Sequence, residues 1–169
     1  MDRAKKEFPI LSKHDIAFKD NTLVKGPGFL EFWPSDETGT PESPRPKEFP
    51  MGKPGVEIRD PKTRTLDILG DVTSHYLIHK DPVVKQHYKE FEASMTPDQR
   101  SIMQEQYRYA KQNFGETRPY NVWYEHAGLP AYFRGYAFDQ WQNAEKMYTP
   151  EQLKKLDELI KYLKSKPKE

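Results

Sequence analysis

Hydrophobic and polar positions alternate in two short runs near the front of the chain and then settle into a helical rhythm. Phe29, Glu31 and Trp33 alternate with Leu30 and Phe32, and Val56 and Ile58 alternate with charged neighbours. A period of two predicts strands, and two strands so close in sequence predict an irregular hairpin. After residue 63 apolar residues recur at helical spacing. Leu66, Leu69, Val72 and Tyr76 mark one face of a helix reaching about Lys80. Asp81 and Pro82 then supply an N-cap and a first-turn proline for a helix through about Ser94, with Val83 or Val84, His87 or Tyr88, and Phe91 on its apolar face. Two Thr-Pro-x-Gln stretches, 96–99 and 149–152, each place Gln three residues after Thr and so open further helices with a capping box. Two short helices are expected between them, about 120–127 and 130–141, with Gly128 ending the first and Pro130 starting the second.

These elements predict an α+β fold, mainly helical, with five to six helices, a small β-hairpin region and a long proline-rich N-terminal loop or arm. Its parts are an N-terminal extension (1–28), the hairpin with its proline-rich loop (29–62) and a helical core (63–165), forming one domain overall. The loop holds prolines 34, 41, 44, 46, 50 and 54. A connection of this length inside a compact domain implies function or packing against another chain. Intermolecular or wrapping contacts are therefore expected for the stretch from Ser35 to Pro54.

Composition narrows the chemistry. Only 35% of residues are hydrophobic and mean hydropathy is −0.99, but aromatics make up 13%, enough for a small ring-rich core. Lys and Arg number 27 against 26 Asp and Glu, with no basic stripe, so phosphate-driven nucleic-acid binding is not expected. There is no cysteine, which removes disulfides, thiolate metal sites and thiol nucleophiles. No apolar run reaches signal-peptide or membrane-span length, so a soluble, non-exported protein without a membrane span is expected.

The candidate chemistry centres on a few polar residues. His75 and His79 stand four apart, with Asp71 one turn earlier, a stripe that can hold a divalent cation. A zinc peptidase with this spacing needs a glutamate after its first histidine, where this chain has Tyr76. The structural alternative is His75 oriented by Asp71, with His79 exposed and no metal or other cofactor. Arg134 lies among rings and calls for a carboxylate partner, with Glu31, Asp71, Glu116 and Asp139 as candidates. Glu116 also has Arg118 within reach. A structural polar network of Glu31, Asp71, His75, Glu116 and Arg134 is the preferred reading. A catalytic site of Asp71, His75 and Arg134 is the alternative.

The stretches GPGFLEFWPSDETGTPESPRPKE, DILGDVTSHYL, SMTPDQ, GETRPYNVWYEHAGLPAYFRGYAF and YTPEQ, in that order, resemble a domain of bacteriophages and other mobile elements. That domain occurs within very large polyvalent proteins and sometimes as a small standalone protein. The similarity runs from about residue 15 to about residue 160. Its recurring elements correspond to Phe29 to Trp33, to Gly70, Asp71 and His75, and to Arg134, Gly135 and Tyr136. The resemblance implies a phage source, with the protein in the virion or in the host bacterial cytoplasm. Taken with the proline-rich arm, a phage source leads to the expectation of a non-enzymatic virion component or accessory protein that contacts a protein partner, other virion subunits among the candidates. A metal-dependent or acid/base hydrolase is the alternative.

Overall fold

A computed structural model describes residues 2–21, 30–60, 62–137 and 147–166. The fold is α+β and mainly helical, with one three-stranded sheet among the described residues. The chain divides into two compact units, Met1–Tyr76 with Ile160–Glu169, and Leu77–Leu159.

The first unit begins with helices α1 (Asp2–Glu7) and α2 (Ile10–Lys13), then strands β1 (Ala17–Asp20), β2 (Leu30–Trp33) and β3 (Gly55–Ile58), and helix α3 (Thr65–Val72). Helices α1 and α2 raise the helix count above the five or six expected, because segments this short show no readable period. Strands β2 and β3 form the expected antiparallel pair, from Leu30 opposite Ile58 to Trp33 opposite Gly55. Phe29, placed in the first strand by the sequence, lies outside the described residues. Strand β1 adds in parallel on the other side of β3, so the order is β1-β3-β2 and β3 is central. Residues 2–20, read as an extension, thus supply a strand and the buried side chains Phe8, Ile10, Leu11 and Ile16.

Register assigns each sheet face a character. Phe18, Val56 and Phe32 align across one face, and Lys19, Glu57 and Glu31 across the other. On that second face Ala17, Gly55 and Trp33 form the adjoining row. A Cβ on Gly55 would lie 2.6 Å from Cγ of Phe49, so the missing side chain makes the seat on which this buried ring rests.

In the second unit the helices are α4 (Ile78–Lys80), α5 (Pro82–Ala93), α6 (Pro97–Phe114), α7 (Tyr120–Trp123), α8 (Leu129–Ala137) and most of α9 (Pro150–Lys164). The helix-start chemistry is where the sequence puts it. Asp81 Oδ1 accepts from the backbone N–H groups of Val83 (3.0 Å) and Val84 (3.1 Å). Thr96 and Gln99 close one capping box, and Thr149 and Gln152 close the other. These two helix starts meet. Gln99 Nε2 donates to Gln152 Oε1 at 2.7 Å, and Gln152 Nε2 donates to Gln99 Oε1 at 3.0 Å. Gln99 also reaches the carbonyl of Met147, and Gln152 reaches Ser94. Beside them Tyr132, Tyr148, Phe91 and Phe133 pack as an aromatic cluster. Burial pushes the Tyr132 hydroxyl up to about 12, and it donates to the Met147 carbonyl.

The break expected at Gly128 is absent. The helix runs on from α7 through a π turn, Tyr124–Gly128, into α8, and residues 138–141 of the expected second helix lie outside the described residues. Gly128 is needed here for space and not for a left-handed stop. A Cβ would sit 2.6 Å from Cζ3 of Trp123 and 2.8 Å from Cε of Met103. The indole is rigid and largely buried, so Gly128→Ala is expected to cost about 1–3 kcal/mol in chemical denaturation. A variant as stable as the parent would show that the ring has room to move.

Candidate functional site

Arg45 organises the long loop, and the sequence reading missed it. Its guanidinium has five N–H donors, and each meets a backbone carbonyl. Nε donates to Phe49 (2.8 Å). Nη1 donates to Pro34 and Glu37, the latter at 2.9 Å. Nη2 donates to Lys53 (2.6 Å) and Pro50 (3.4 Å). The Gly52 N–H closes the base on the Ser35 carbonyl at 2.7 Å. An inner turn pairs Thr40 with Ser43 and Arg45 with Thr38, with Gly39 at φ +81°. The segment is therefore a self-packed loop, held from within by Arg45 and lying on the sheet through Phe49. The readable signal was Pro44-Arg45-Pro46 within a proline-rich stretch. Prolines remove backbone donors, so carbonyls are left over and a many-donor side chain is needed to satisfy them.

Beneath the loop lies a carboxylate cluster. Glu31 and Glu57 are direct cross-strand partners on one face, an arrangement that repels unless neutralised. Arg59, two residues beyond Glu57, bridges Glu31 and Glu57. Glu57 is 3% exposed and also accepts from Asn21 Nδ2 and from the Trp33 indole N–H at 3.4 Å. With its oxygens occupied by three donors, this carboxylate is a fastening between strands. Glu31 thus pairs with Arg59.

The histidine stripe differs from the simple helical picture. A π turn, Thr73–Leu77, interrupts the α-helical period, so residues four apart no longer stack in one row. His75 Nε2 lies 3.6 Å from Asp71 Oδ1, its side chain is half exposed, and its ring stacks on Phe32 with centroids 5.3 Å apart. His79 is exposed, and partial burial followed by the nearby His126 and Lys85 charges lowers its pKa. Among the described residues no group of three or more His, Cys, Asp or Glu is arranged to hold a metal ion.

Glu116 pairs with Arg118 at 2.7 Å, and this side-chain bond, with the Arg118 backbone N–H, holds its carboxyl down to about 2. Gly115 before it takes the left-handed conformation expected at a helix end, φ +66°. Arg134 is half-buried on α8, in the second unit, whereas Asp71 and His75 belong to the first. Asp139, one of its candidate partners, lies outside the described residues.

The second unit also carries a cleft of about 470 Å³. One wall is a stripe of α5 (Lys85, Tyr88, Lys89 and Glu92), and the other comes from α7 and its π turn (Tyr120, Asn121, Tyr124 and Glu125). Burial raises the pKa values of all three tyrosines, so their hydroxyls remain protonated donors at neutral pH. Tyr124 Oη is out of solvent contact without a well-formed hydrogen bond, though Arg100 lies near enough to lower its pKa slightly against the burial. Sequence patterning did not single out this cleft, because a polar i, i+3, i+4, i+7 stripe reads as a solvated helix face.

No family model, curated protein or solved structure matches this chain.

Proposed function

We propose that this is a phage-encoded, non-enzymatic protein, a virion component or accessory factor, that acts by protein–protein contact through the loop 34–54. The resemblance described above supports the phage source and a location in the virion or the host bacterial cytoplasm. The mode of action rests on one observation, the five-carbonyl grip of Arg45. A loop already fixed within its own chain loses little conformational freedom when a partner docks, which favours association. Its outer surface carries Asp36, Glu37 and Glu42 together with Met51, which is 55% exposed. Methionine is an adaptable contact residue, and a charged surround lets one apolar anchor stay soluble until it is covered.

The test is to carry a photo-crosslinking residue at position 42, an exposed site on the same loop, in infected cells, with Met51 kept or replaced, and to analyse gradient-purified particles for the protein. One dominant phage protein should be cross-linked, and Met51→Asp should reduce its capture about tenfold or more at an unchanged melting temperature. Capture unaffected by Met51→Asp, or cross-links scattered over many proteins, would remove the loop as the contact surface.

A further inference from the structure

We infer that the cleft of the second unit binds a nucleoside monophosphate, with its base against Tyr120 and Tyr124 and its phosphate on Lys85 and Lys89. The observations are independent of the loop, which belongs to the first unit. Helix α5 packs inward through Val84 and Phe91, and a polar stripe beside that face is ordinarily solvated. On α5 that stripe reads cation, ring, cation, carboxylate, and it lines a cleft of about 470 Å³, a size suited to one small organic ligand.

Lys85 and Lys89 are one turn apart, and neither makes an ion pair among the described residues. Two ammonium groups on one side of a cleft suit a single multiply charged oxyanion, and the neutral His79 ring beside them adds an N–H donor. Opposite them, the Tyr120 and Tyr124 rings lie 5.8 Å apart at 40°, one turn apart on their own wall. Such rings offer a stacking platform to any planar base. Glu92 makes no ion pair among the described residues either, and its carboxylate accepts the amino or ring N–H groups that a base presents at its edge. The π turn contributes Tyr124 and Glu125 to this wall, and π turns inside helices are frequent at functional sites. A free cation is a poorer fit, since the two lysines would repel it.

Binding of AMP, adenosine and inorganic phosphate to the full chain tests this by calorimetry and by NMR of the His79 ring. AMP should bind one to one. Adenosine and phosphate alone should each bind about tenfold or more weakly, because each uses half of the site. Lys85→Gln with Lys89→Gln, two exposed positions, should reduce AMP binding to the adenosine level without changing the melting temperature. Tyr120→Leu should reduce it toward the phosphate level. The inference fails if AMP binds no more tightly than phosphate, if no AMP binding is detected, or if the double lysine variant binds AMP as the parent does.

Discussion

Arg45→Met is expected to release the loop 34–54 and lower the stability of the first unit by about 3 kcal/mol. Hydrogen bonds from a charged donor contribute about 1.5–3 kcal/mol each, but they are not additive, and water replaces part of what exposed carbonyls lose. For a unit of this size that corresponds to a fall of roughly 12–24 °C in the transition reporting it. Limited proteolysis gives the sharper readout. The parent should resist cleavage between 34 and 54, and the variant should be cut there first. Arg45→Lys should behave nearly as badly as methionine, because three donors on one nitrogen cannot span carbonyls on five residues. If Arg45→Met melts like the parent and keeps its cleavage pattern, the guanidinium is not what orders the loop. The loop would then be the open arm that proline content alone suggests.

The second large effect is expected at the paired glutamines. Gln99→Leu and Gln152→Leu should each cost about 2–4 kcal/mol, since each leaves a backbone N–H at a helix start and the other amide unsatisfied in a dry site. Gln99 is 4% exposed and Gln152 is 2% exposed, so water cannot readily replace the lost partner. The double variant should cost less than the sum, with a coupling of about 1–3 kcal/mol in a double-mutant cycle. Strict additivity would mean that the two capping boxes act separately and that their meeting contributes nothing.

These two cases divide what was legible from what was not. Each Thr-Pro-x-Gln box is local: four residues contain the cap, the fixed φ and the returning amide, so its existence follows from sequence. That the two boxes clasp each other joins residues 53 positions apart, and no local pattern encodes it. The Asp71–His75 pair was likewise visible as a spacing, but the π turn that loosens it to 3.6 Å was not. Glu31 and Glu116 were both singled out as carboxylates in need of a partner; Arg118, two residues from Glu116, was among the partners considered, whereas Arg59, which reaches Glu31 across the strands, was not.

By itself, the sequence determined the mainly helical α+β character, the β2–β3 pairing and the helix starts at Pro82, Pro97 and Pro150. All of these depend on side-chain period or on groups within a few residues of one another. Tertiary structure alone decided that β1 joins in parallel, that Gly128 makes room for Trp123 and that α5 turns a polar stripe into a cleft. It also decided the role of Arg45, whose acceptors are backbone carbonyls. Every residue carries one, so no sequence pattern distinguishes the five that this side chain holds, and only the folded path of the loop brings them to a single guanidinium.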